Sequence, residues 1–270
     1  MLAVSTIAFY KSVKMVQATS ILANPRFVGN GPATTCANIM FSARGGPAYG
    51  GHRVFVHNKY YSNNMDKGQQ LKALHEKWLK KCSCKLRKTA IQGVPGAGNP
   101  NAEIVFIGEA PGKKEDELGV PFVGAAGRFL AEMLGEIKMK RDGVYITNIV
   151  KYRPPDNRDP SPEEKSSCRA WLIEELNLIQ PKLIIFLGRH AMNDFFPTEK
   201  ISEVHGKLLI KKPARLNDIS RSGGFKGIST KHFFPLYHPA AALYNGGLRE
   251  TLMDDFKKIP LILKKINNEK

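Results

Sequence analysis

Four short apolar runs, at residues 103–107, 144–150, 183–187 and 233–237, alternate with longer amphipathic stretches, and this alternation limits what the chain can fold into. Runs of that length suit strands buried on both faces, and the amphipathic stretches suit helices laid over them. The combination is that of a parallel sheet covered by helices, an α/β fold. The helices carry their own start signals. In Ser161-Pro162-Glu163-Glu164 the serine is placed to cap free amides, the proline suits a first turn, and Glu164 completes a capping box. The apolar series Trp171, Leu172, Leu176 and Ile179 follows until Pro181 stops it. A second helix is expected after Gly124, with Phe129, Leu130, Met133, Leu134 and Ile137 at helical spacing, and a third carries Leu71, Leu74 and Trp78 ahead of Cys82. Residues 211–231 are polar, basic and Gly-rich, which reads as a loop.

In an open parallel sheet, ligands bind where the strands end at their carboxyl edge, because the loops that follow converge there. Each of the four runs leads into a distinctive segment at that edge. Gly108-Glu109-Ala110-Pro111-Gly112 follows the first, Asn148 lies near the end of the second, Gly188-Arg189-His190 follows the third, and His238-Pro239-Ala240 follows the fourth. The Gly-rich turn lacks both the Gly-Lys-Ser/Thr of a P-loop and the G-x-G-x-x-G spacing of a dinucleotide fold, so nucleotide binding ranks low.

The chain changes character near residue 65. No acidic residue precedes Asp66, whereas Lys11, Lys14, Arg26, Arg44, Arg53 and Lys59 are basic. Two parts are therefore expected: a leader over residues 1–64, read as an organellar (mitochondrial) transit peptide or a disordered tail, and a catalytic domain over 65–270. The expected location is a mitochondrion or other organelle for a eukaryotic chain, and the cytoplasm otherwise. The formal net charge is +17, of which the leader supplies 6, so +11 remains on the domain. A basic excess of that size points to a polyanionic partner, since each Lys or Arg near a phosphate releases condensed counterions. No apolar run is long enough to span a bilayer, so no membrane partner is expected, and the chain is read as a monomer. Four scattered cysteines, Cys36, Cys82, Cys84 and Cys168, do not make a disulfide scaffold and agree with a reducing compartment.

The segments GEAPGKKEDELGVPFVGAAGRFL (108–130), VYITNIVKYRPPDNRDPSPEE (144–164), QPKLIIFLGRHA (180–191) and YHPAAAL (237–243) resemble, in order and spacing, the family-4 uracil-DNA glycosylases. The likeness extends over about residues 71–259. It implies a three-layer α/β/α sandwich on a four-stranded parallel sheet, with uracil-containing DNA bound across the carboxyl edge. The activity implied is monofunctional base excision, in which uracil is flipped from DNA and its N-glycosidic bond hydrolysed.

The resemblance also implies roles. Phe122 matches the residue on which the flipped uracil stacks, and Asn148 the amide that pairs with its O4 and N3 edge, beside Gly108. Glu115 matches the residue along the C5 edge, where a carboxylate crowds out the thymine methyl. His238 matches the catalytic histidine that stabilises charge on O2 of the leaving base. Glu109 stabilises the cationic sugar or positions water; Ala110 stands where other uracil-DNA glycosylases carry a water-activating aspartate. Leu243 and Tyr244 are candidates to wedge into the base stack. Lys151, Arg153, Arg158, Arg189 and the basic loop around Arg215, Arg221 and Lys226 are candidate phosphate contacts.

The family also carries a [4Fe-4S] cluster on four cysteines, and here the sequence departs from it. Cys84 and Cys168 match the second and fourth ligands, Cys82 is one residue out of register, and Tyr152 replaces the third. The expectation is that the cluster is lost or labile, and that no cofactor is needed for the chemistry. Two competing readings are a non-catalytic nucleic-acid-binding descendant of the same fold and a small-molecule nucleotide enzyme. Retention of Glu109, Glu115, Phe122, Asn148 and His238 together argues against the first, and the basic excess against the second.

Overall fold

A computed structural model describes residues 65–213 and 228–269. Its strands are β1 (Ala97–Gly98), β2 (Ile104–Gly108), β3 (Tyr145–Asn148), β4 (Leu183–Leu187), β5 (Leu209–Ile210) and β6 (His232–Leu236). They form one sheet in the order β1-β3-β2-β4-β6-β5. The four expected runs are the four central strands, parallel to one another. The sheet is nevertheless mixed and six-stranded, not four-stranded. The two-residue strands β1 and β5 add antiparallel edges, pairing Ala97 with Ile146 and Leu209 with Phe233. Pairs this short leave no apolar run for periodicity to detect.

The helices are α1 (Lys67–Lys81), α2 (Lys113–Leu118), α3 (Ala125–Glu136), α4 (Pro162–Ile179), α5 (Arg189–Phe195), α6 (Ile201–Val204), α7 (Pro239–Ala242), α8 (Gly246–Lys257) and α9 (Ile259–Asn268). The α4 start is as its sequence requires: the Ser161 side chain accepts from the Glu164 amide, and the Glu164 side chain answers the Ser161 amide. Side chains alternate across each strand, so the sheet feeds two cores. Val105 and Ile107 of β2, with Ile184 and Phe186 of β4, face one core closed by Leu71, Leu74 and Trp78 of α1 and Leu172 and Leu176 of α4. Ile104 and Phe106, with Leu183 and Ile185, face the other, closed by Phe129, Leu130 and Met133 of α3 and Leu252 and Phe256 of α8. Fully burying a Leu or Phe stabilises by roughly 1.5–3 kcal/mol, and both faces of the sheet are covered in this way.

The parallel register sets the carboxyl edge. Gly108 at the end of β2 pairs with Asn148 at the end of β3. Beside them Leu187 pairs with Leu236, so the segments beginning at Gly188 and Tyr237 leave the sheet side by side. Among the described residues no helix is long and apolar enough to cross a membrane. The leader and the loop residues Arg215, Arg221 and Lys226 lie outside the described residues.

Candidate active site

A cavity of about 320 Å³ opens at this carboxyl edge, lined among others by Glu109, Glu115, Phe122, Asn148, Arg158 and His238. It sits at the small end of the ligand-pocket range of roughly 300–1,000 Å³, a size suited to one heterocycle. A second hollow of about 280 Å³ lies at the opposite, amino edge. Several of its polar groups are engaged: Thr230 donates to Pro181 O, Lys182 pairs with Glu103, and His232 with Glu269.

The wall of the cavity is Phe122, buried and held at φ 54°, a left-handed conformation that costs a non-glycine residue about 1–3 kcal/mol. Its neighbours hold it there. Glu115 Oε1 accepts the amides of Val123 (2.9 Å) and Gly124 (2.7 Å), and Arg141 donates to Pro121 O. Gly127 lets the loop press on α3, since a Cβ there would lie 1.9 Å from Phe122 O. Gly108 is required for a different reason: its Cβ would stand 2.4 Å from Asn148 Oδ1 and 2.6 Å from the Phe122 ring, inside the pocket wall.

Asn148 is 2% exposed, and its Oδ1 has no hydrogen-bond partner; Glu109 Oε1 is in the same condition. A buried, unpartnered acceptor costs about 1–3 kcal/mol, and these two both face the cavity, where a bound molecule supplies the missing donor. The His238 ring lies 5.9 Å from that of Phe122. Its Nδ1 accepts the Ala240 amide at 3.1 Å as the cap of α7, so the proton of the neutral ring sits on Nε2. Burial, then the nearby His190, pushes the His238 pKa down to about 4. At neutral pH His238 is an uncharged hydrogen-bond donor. Glu109 moves the other way: burial, then the charge of Asp159, raises its pKa to about 7.

The remaining expected residues divide. Leu243 and Tyr244 follow α7 and are exposed, Tyr244 at 92%. Arg189 is exposed and its Nε donates to His190 Nε2. Arg153 donates to Asn157 Oδ1, and Arg158 makes a two-pronged pair with Glu164 at 2.7 and 2.9 Å. Lys151 corrects the sequence reading. It is 1% exposed, and its ammonium is enclosed by Glu175 Oε2 and Thr147, so it offers no charge to a phosphate. Glu175 also accepts from Tyr145 and the Gly96 amide and pairs with His75, making a buried junction of α1, β3 and α4. Burial works to raise its pKa, and Lys151 with His75 outweighs that and holds it at about 2. A sequence shows a lysine after a strand, not the glutamate on a helix that captures it.

Cys82, Cys84 and Cys168 are buried free thiols in the core that α1 and α4 close. Tyr152 is buried in the same core with its ring 5.1 Å from that of Trp78, a phenol where the resemblance implies the third ligand. Three cysteines and a packed tyrosine do not supply the four thiolates of an iron–sulfur cluster. The sequence reading did not single out Asp159 as a functional residue. Together with Glu109 and His190 it forms a group whose ligand atoms lie within 4.8 Å of one another. Nothing in the spacing of 109, 159 and 190 announces this; two loops and the first turn of α5 bring them together.

Known proteins share this pattern. The uracil DNA glycosylase superfamily model matches residues 95–259. A type-4 uracil-DNA glycosylase of Sulfurisphaera tokodaii is 44% identical over 195 residues, covering 70% of this chain and 83% of that protein. One of Archaeoglobus fulgidus is 46% identical over 176 residues, covering 65% and 84%. One of Thermotoga maritima is 38% identical over 200 residues, covering 73% and 97%.

Proposed function

The chain belongs to the uracil-DNA glycosylase superfamily, in its type-4 branch, and from that premise we propose that the carboxyl-edge cavity excises uracil from DNA as the first step of base excision repair. The observation that carries this reading is the unpartnered Oδ1 of buried Asn148, set between Phe122 and His238 in a pocket of one-base size. Uracil presents an N3–H donor beside an O4 acceptor, and an asparagine amide meets both. Cytosine presents the reverse pattern.

In this reading the flipped base stacks on Phe122, while Leu243 and Tyr244 occupy the space it vacates. Glu115, tethered by two backbone amides, is a fixed barrier at C5 where thymine carries its methyl. As the bond from N1 to the sugar breaks, negative charge grows on the pyrimidine, and the Nε2–H of neutral His238 donates to O2. A neutral donor is suited to this task because it stabilises the developing anion through a hydrogen bond without giving up its proton to the base. Glu109 faces the sugar, where its carboxylate opposes the positive charge and holds the attacking water. Arg153, Arg158 and Arg189 contact phosphates.

The test is excision from labelled oligonucleotides carrying one uracil, thymine or cytosine, followed by alkaline cleavage at the abasic site. Cleavage confined to the uracil strand is expected. Binding to uracil DNA without release of base would favour the non-catalytic alternative.

A further inference from the structure

We infer that Arg141 is a positioning residue for excision, whose hydrogen bond to Pro121 O holds Phe122 in the left-handed conformation that sets its ring in the cavity wall. The inference rests on the reading of Phe122 given above. Two backbone angles decide where that side chain leaves the chain, and the peptide plane on each side of it is pinned by another residue. The plane ahead of Phe122 carries Pro121 O, which accepts from Arg141 Nη2. The plane after it carries the Val123 amide, which donates to Glu115 Oε1 at 2.9 Å. With both planes held, φ and ψ of Phe122 are held as well, and φ settles at 54°. A bulky side chain does not choose this region unaided, so the conformation persists only while its surroundings over-determine it.

Arg141 meets this loop because the chain returns to it. The loop leads into α3, and α3 hands the chain on to the short turn Arg141–Gly143, which enters β3. One strand thus links Arg141 at its entry to Asn148 at its end. Pro121 is buried and Arg141 half-buried, and a buried carbonyl needs a partner, which the guanidinium supplies. Burial works to lower the Arg141 pKa and the charge of Glu115 opposes it, while a guanidinium stays charged at any working pH. A charged donor makes the stronger kind of hydrogen bond. Arg141 is not part of the cavity lining, so it acts through Phe122 and not on the base. In the sequence it is one more basic residue beside Lys138 and Lys140, and its partner lies 20 residues upstream.

The experiment combines three measurements on the full chain: single-turnover uracil excision at saturating enzyme, DNA binding, and the carbon-13 NMR shifts of Phe122, which report its φ. Arg141 belongs to neither core, so its variants are expected to fold. Arg141→Met is expected to slow excision by about 10- to 100-fold, the cost of misplacing a positioned group by about an ångström. DNA affinity is expected to stay within about twofold, because it comes from phosphate contacts elsewhere. The Phe122 shifts are expected to leave the left-handed range. Arg141→Lys, which keeps a charged donor, is expected to recover most of the rate and of the shifts. In a Phe122→Gly background the ring is gone, and there Arg141→Met is expected to cost less than about twofold, since residues that act through one another are not additive. Equal slowing in both backgrounds would make Arg141 a general structural residue and overturn the inference. So would Phe122 shifts unmoved in Arg141→Met, or a loss confined to DNA affinity, which would make Arg141 a phosphate contact. Should the wild-type chain release no uracil at all, the functional reading fails, and the Phe122 shifts still decide whether Arg141 holds the loop.

Discussion

At the residue scale the pocket depends on what is absent as much as on what is present. Gly108 has no side chain because any Cβ would meet Asn148 Oδ1 at 2.4 Å. Gly108→Ala is expected to keep the fold and to slow excision on the order of 100-fold, the cost of displacing a positioned group by about an ångström, measured under single-turnover conditions. Asn148→Ala removes the amide that reads the base edge, and about 1–3 kcal/mol of discrimination should go with it. The checkable outcome is a uracil excision rate lower by tenfold or more with unchanged binding to undamaged DNA. Both positions were legible in the sequence as motif members at strand ends. What was not legible is the mechanics: the φ of 54° at Phe122, the two amides held by Glu115, and the Ala240 amide that sets the His238 tautomer. These depend on backbone placement, which residue type and spacing do not report.

At the element scale, α1 and α4 are joined across β3 by polar chemistry. Lys151 and Glu175 are 1% and 2% exposed and paired at 2.5 Å. Removing one member leaves the other charge buried, so Lys151→Met is expected to cost about 3–5 kcal/mol in a denaturation experiment. The same junction has a pH signature. Glu175 is held below its unfolded value, so its contribution is present above about pH 4.3 and is lost as pH falls through about 2. Melting temperatures of the wild-type chain should drop over that interval, and Glu175→Gln should flatten the drop. The neighbouring thiols give a second element-scale outcome. With Tyr152 packed on Trp78, anaerobically purified protein should hold clearly less than four irons per chain, and a full complement with its visible absorption would show that another ligand enters. The helices were readable because their caps and apolar spacing are local. The captured lysine was not, because its partner is 24 residues away on another element.

At the scale of the whole molecule, the four central strands and the placement of motifs at their carboxyl ends follow from the alternation of apolar runs with amphipathic stretches, while the order of the strands and the two-residue edges do not. Residues 65–270 are the expected catalytic part. A chain beginning at Met65 is expected to excise uracil as the full chain does, and the preceding residues fused to a reporter are expected to direct it to an organelle; a diffuse cytosolic signal would count against the transit role. The central claim is that His238 acts on the leaving base, while affinity comes from phosphate contacts elsewhere. It is tested most directly by comparing wild type and His238→Ala in single-turnover excision and in DNA binding. Loss of one well-placed donor is expected to slow excision by about 100- to 1,000-fold with DNA affinity nearly intact, whereas excision by His238→Ala at the wild-type rate would contradict the account.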